Sequence, residues 1–111
     1  MSVRDLIEGY RREVRDTDLP PIRAAEVLTR LTALMGNVLS EIREAEMNFN
    51  VVLLGHLDTE KAANRARLRA QTTPEYTRMK EAKDTHVVLV EMIRSLRQVL
   101  RTQAEEMRLS S

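Results

Sequence analysis

Cysteine is absent from this chain, and aromatic residues are nearly so: Tyr10, Phe49 and Tyr76 are the three in 111 residues. Without thiols there can be neither disulfide staples nor thiolate metal sites, and the redox compartment leaves no mark on the sequence. Glycine and proline number three each while charged residues make up 32%, a balance that favours long, surface-rich helices over a compact globule. Long apolar runs are also missing. Val51 to Leu54 stops after four residues, far short of the ~20 that a membrane-spanning helix needs, so it reads as a core patch and no membrane partner is expected. Arg4, Asp5 and Glu8 occupy the first turns, where a secretory leader would carry an apolar stretch, and the expectation is a cytoplasmic protein without a leader. No glycine-rich phosphate loop, H-E-x-x-H or G-x-S-x-G occurs, and Ser2, Ser40, Ser95, Ser110 and Ser111 have no histidine partner pattern. Nucleophilic catalysis, a cofactor and a metal therefore have no support, and the chain reads as a non-enzyme.

What is present is segregated charge. The net charge is only +1, yet Lys61, Arg65, Arg67, Arg69, Arg78, Lys80 and Lys83 share the segment from 61 to 83 with just two acids, Glu75 and Glu81. That segment holds an excess of five positive charges, while the remaining residues hold eleven basic and fifteen acidic side chains. Solubility alone does not call for such separation, whereas a site for a polyanion does.

The rest of the pattern is helical. Ser2 with Asp5 three residues on marks a helix start, and Val3, Leu6, Ile7, Tyr10 and Val14 recur at helical spacing, giving a short helix over 2–16. Asp16-Thr17-Asp18-Leu19-Pro20-Pro21 ends it, and Thr17 or Asp18 is placed to cap the next helix. Ala24, Leu28, Leu31, Met35, Val38, Ile42, Ala45, Phe49, Val52 and His56 then alternate steps of four and three, a heptad seam within a long helix predicted over 21–70. Leu34, Leu39, Leu53, Leu54 and Leu57 widen this stripe, so the helix is expected to face more than one neighbour. Gly36 and Gly55 are places where it could bend, and Gly55 to Thr59 is where it could break. Beyond Leu57 the stripe thins to alanines and Leu68, predicting a stretch that projects from the core. Thr72 with Glu75 has capping-box spacing and Pro74 suits a first turn, opening a helix over 73–108 with its own seam of Met79, Ala82, His86, Leu89, Ile93, Leu96, Leu100, Gln103 and Met107. The expected fold is all-α, a single helical domain over 1–111 with a short N-terminal helix and two long antiparallel helices, assembling as a helical oligomer through its seams.

Arg65, Arg67 and Arg69 alternate with Ala66, Leu68 and Ala70, which fans the guanidinium groups around the helix. Arginine bonds phosphate with a planar fork and stacks on unpaired bases. Tyr76, inside the basic segment, is either a stacking platform for a base or a ring covering the start of the last seam. His56 and His86 lie on seams without ligand spacing around them and read as structural histidines. Glu41, Glu44 and Glu46 with Glu81 and Asp84 form E-x-x-E and E-x-x-D spacings that resemble the magnesium-binding signature of MazG-type nucleotide pyrophosphohydrolases, although solvated acids with basic partners a turn away explain them more cheaply.

Taken together, the long helix with Ala24-Ala25 and Glu41-Ile42-Arg43-Glu44, the connector bearing Arg65-Ala66-Arg67-Leu68, and Met79-Lys80-Glu81-Ala82-Lys83-Asp84 leading to Glu91-Met92-Ile93-Arg94-Ser95-Leu96-Arg97 resemble the UvsY-type recombination mediators of tailed phages. The resemblance covers roughly Ala24 to Met107. It implies a small helical homo-oligomer, a ring in that family, which binds single-stranded DNA and helps load a RecA-like recombinase onto strands coated by single-strand-binding protein in the host cytoplasm. The Arg-Ala-Arg-Leu element matches a basic element of the family that contributes to DNA binding. The sequence lacks the family's aromatic-rich middle and the glycine-containing turn after it. The candidate nucleic-acid-binding residues are Lys61, Arg65, Arg67, Arg69, Tyr76, Arg78, Lys80 and Lys83. The alternatives are a helical adaptor protein without nucleic-acid binding, and the pyrophosphohydrolase.

Overall fold

Four helices and no strand account for the described residues, 1–110, of the computed structural model. They are α1 (Val3–Asp16), α2 (Pro21–Thr59), α3 (Ala63–Ala70) and α4 (Pro74–Ser110). Among the described residues no helix is long and apolar enough to cross a membrane. The chain forms two compact units. One comprises Met1–Asn37 and Thr85–Ser111, the other Val38–Asp84, so α2 and α4 each contribute one part to either unit.

Local chemistry sets the helix ends. The Ser2 hydroxyl accepts from the Asp5 N–H at 3.1 Å and the Asp5 carboxylate accepts from the Ser2 N–H at 3.2 Å, the reciprocal capping box that the sequence predicts. These bonds hold the Asp5 carboxyl below its usual range. α1 stops at Thr17, which is extended and donates its N–H to the Glu13 carbonyl. Pro20 supplies the carbonyl that receives the Ala24 N–H, and Pro21 opens α2. Proline suits that first position because its missing N–H would have had no partner there.

In the first unit Ile7 of α1, Ala24, Val27 and Leu31 of α2, and Leu89, Met92, Ile93 and Leu96 of α4 are buried. The spacings of three, four and seven place each set on one helix face. A bidentate ion pair joins α1 to α2: the Arg23 guanidinium donates to both Glu13 oxygens, at 2.7 and 3.0 Å, and its third nitrogen reaches Glu26 at 3.1 Å. The Arg23 hydrogen bond holds the Glu13 carboxyl below its ordinary value, while Glu13 and then Glu26 raise Arg23 above its own. Gln103 donates to the Leu19 carbonyl at 3.4 Å, tying the linker between α1 and α2 to α4.

The second unit has a smaller core: Val38 and Ala45 of α2, Ala66 and Ala70 of α3, and Met79 of α4. The continuous helix predicted over 21–70 is interrupted here. α2 ends at Thr59 and α3 begins at Ala63. Residues 60–62 contain neither glycine nor proline. The Thr59 hydroxyl bonds back to the His56 carbonyl at 3.2 Å, Glu60 donates its N–H to the same carbonyl, and Ala62 is extended with no side-chain cap. The alanine stretch therefore does not project: Ala66 and Ala70 are 0% exposed. Gly55 stays inside α2, and nothing lies within 4 Å of where its side chain would be.

Across from the buried seam, α2 carries a second apolar strip in this unit. Met47, Val51 and Leu54 recur at four and three and are 68%, 68% and 61% exposed. At about 100° per residue they lie on the face roughly opposite Ala45, Phe49 and Val52.

Candidate nucleic-acid interface

All eight basic-segment site residues fall in the second unit, on α3, on the first turns of α4 and on the break before α3. The buried Ala66 and Ala70 fix the orientation of α3. With that face inward, Arg65, Arg67 and Arg69 must spread over the outer circumference, and all three are exposed. Leu68 lies roughly opposite the buried face and is exposed too.

Two short side-chain bonds shape the connection between α3 and α4. The Thr72 hydroxyl donates to the Arg69 carbonyl at 2.7 Å, closing the end of α3. Thr73 then caps α4: its hydroxyl accepts from the Tyr76 N–H at 3.3 Å while donating to the Ala70 carbonyl at 2.6 Å. The cap is thus one residue later than the Thr72–Glu75 spacing suggests. Pro74 explains the shift, since proline at the first helical position makes the residue before it the cap.

The cations differ in what surrounds them. Arg69 pairs with Glu60 at 2.9 Å, and Lys83 pairs with Glu46 at 3.4 Å. Lys61, Arg65, Arg67, Arg78 and Lys80 are exposed and make no ion pair among the described residues. On α4, Arg78 and Lys80 project on opposite flanks, roughly 160° apart by helical geometry. The unit therefore presents a collar of positive charge and not a flat patch.

Tyr76 is half-buried. Its ring centroid lies 5.4 Å from that of Phe49 with the planes tilted at 52°, a separation typical of paired aromatics within a core. This pair brings Phe49 of α2 and Tyr76 of α4 together, as the Glu46–Lys83 ion pair does for the same two helices.

Among the described residues there is no group of three or more His, Cys, Asp or Glu side chains that could hold an ion, and Glu46 is engaged by Lys83. Glu41, Glu44, Glu81 and Asp84 do not converge into such a group.

No family model, curated protein or solved structure matches the chain.

One group lies outside the predicted site altogether. Arg94, Arg97 and Arg101 of α4 line an open groove in the first unit. Their three- and four-residue steps are legible in the sequence, but the distribution of charge along the chain favours the denser segment, and only the packing of α2 against α4 creates the groove.

Proposed function

We propose that this chain is an oligomeric, non-enzymatic single-stranded DNA-binding protein that acts as a recombination mediator of the phage type, helping a RecA-like recombinase replace single-strand-binding protein. The observation that carries the reading is the set of five exposed, unpaired cations, Lys61, Arg65, Arg67, Arg78 and Lys80, within one small helical unit. Exposed arginines without carboxylate partners keep their hydrogen-bonding forks available to phosphate. Their spread around α3 and α4 suits a flexible strand that wraps, more than a rigid duplex read through one groove. Arg69 and Lys83 play a lesser part, because each already holds an acid, and Tyr76 supports Phe49.

Self-association belongs to the same proposal. Two long helices packed antiparallel would form the protomer, a reading supported by the Phe49–Tyr76 and Glu46–Lys83 contacts. The exposed strip of Met47, Val51 and Leu54 supplies an apolar face for a further subunit. Repeating a weak basic site around one particle converts modest contacts into avidity.

The test is charge reversal. R65E/R67E/R69E is compared with the parent protein for oligonucleotide binding by fluorescence anisotropy and for assembly by native mass measurement. Lost binding at unchanged particle mass supports the reading. Dissociation of the particle, with no oligonucleotide affinity in the parent, would instead establish the helical adaptor, whose arginines serve contacts between subunits.

A further inference from the structure

The first unit carries an open groove of about 860 Å³ between α2 and α4. Its floor includes Met35, Val90 and Ile93, and Arg94, Arg97 and Arg101 stand along it. Among the described residues no acidic side chain lines it. Successive steps of three and four place the arginines within one sector of α4, roughly 60° wide. This differs from the fanned arrangement on α3.

Arginines in this unit generally have partners. Arg11 pairs with Glu8, Arg15 with Asp16, and Arg23 with Glu13 and Glu26, while Arg30 donates to the Tyr10 hydroxyl. Glu91 and Glu105 lie one turn from Arg94 and Arg101 in sequence, the spacing at which helical ion pairs form, yet no such pair is made among the described residues. Arg101 instead donates to the neutral Gln98 at 3.4 Å. Like charges stacked at these spacings weaken a helix. A shared anion offsets that repulsion.

We infer that this groove is a second contact for a nucleic-acid strand, in which Arg94, Arg97 and Arg101 hold successive phosphates and the apolar floor receives sugar and base. The three arginines span about 10 Å of helix axis, room for about three phosphates at the ~3.4 Å axial spacing of a stacked strand. Each charged residue lining the groove is arginine, the residue whose planar fork matches phosphate in two-point contact. The inference rests on the proposed strand-binding function, and it adds a surface on a different unit from the basic segment.

The experiment substitutes R94Q/R97Q/R101Q, since glutamine keeps helix propensity while removing charge. Full-length protein is titrated with a labelled oligothymidylate of about 16 nucleotides over a range of salt, beside R65Q/R67Q and the parent. Circular dichroism establishes that the triple variant is folded, and the single variant R97Q provides a milder substitution if it is not. The expected result is a fall of about 2 in the slope of log affinity against log salt for the triple variant and about 0.7 for R97Q, at unchanged helicity. A parental slope in both variants, with R65Q/R67Q still lowering it, overturns the groove contact and leaves the basic segment standing. Absence of parental binding overturns both. Selective loss of affinity for an acidic amphipathic peptide, with oligothymidylate binding intact, would assign the groove to a protein partner and likewise overturn the inference.

Discussion

Neutralising Arg65 and Arg67 together should change how DNA affinity responds to salt by a calculable amount. Both side chains are exposed and neither is engaged by an acid, so each is free to displace one counterion from a bound phosphate. For single strands the slope of log affinity against log salt changes by about 0.7 per phosphate neutralised, so R65Q/R67Q should flatten it by about 1.4. Between about 50 and about 200 mM salt this shrinks the loss of affinity by about sevenfold. The assay is anisotropy of a labelled oligonucleotide at four or more salt concentrations. Arg69 and Lys83 provide the internal comparison, because Glu60 and Glu46 already neutralise them at 2.9 and 3.4 Å. R69Q/K83Q should flatten the slope clearly less. Equal slopes for the two double variants would refute the reasoning, since pairing with acids would then have no bearing on which cations meet the strand.

Other measurements address the scaffold. The Arg23 hydrogen bond depresses the Glu13 carboxyl, so its contribution to docking α1 is fully present above the unfolded carboxyl value of about 4.3 and fades as pH falls toward the lower folded value; proteolysis within residues 3–16 should accelerate on acidification below that point, and E13Q should reduce this pH dependence, leaving the part that the depressed Asp5 and Asp16 carboxyls contribute. Leu31→Ala and Leu89→Ala, each truncating a side chain that is fully buried in the first unit, should cost about 2–5 kcal/mol in urea denaturation. Thr73→Ala removes the cap of α4 and should cost about 1 kcal/mol, whereas Glu75→Gln, at the predicted capping-box position that the structure leaves unused, should change stability little.

Much of the helical pattern was legible because it is local. Every seam residue predicted on α2, from Ala24 to His56, is buried or half-buried, as is each one on α4 from Met79 to Gln103. Met107 is the exception, at 68% exposure near the end of α4. The capping box at Ser2 and the stop before Pro20 also depend only on neighbours in the chain. What escaped the sequence depends on residues distant along it. A break was legible near Gly55 to Thr59, and α2 ends at Thr59; its position at 60–62, which bear no glycine or proline, was not, and it coincides with the burial of Ala66 and Ala70 and with the Glu60–Arg69 pair. Tyr76 could be either a platform or a core ring on sequence alone, and only the fold shows the Phe49 ring 5.4 Å from it. The groove of Arg94, Arg97 and Arg101 needs α2 as its other wall.

Alanine supplies three of the five buried apolar residues in the second unit, where the first unit has a single alanine, Ala24, beside Ile7, Val27, Leu31, Leu89, Met92, Ile93 and Leu96. Burial of a methyl group removes far less surface from water than burial of a leucine. The half of the molecule that carries the Lys61–Lys83 cations should accordingly open more often, and its amides should exchange with solvent sooner than those around Leu31 and Leu89. A strand gripping Arg65 and Arg67 would then act on the softer half of the protein, slowing amide exchange along α3 and conferring rigidity that the alanine core alone does not provide.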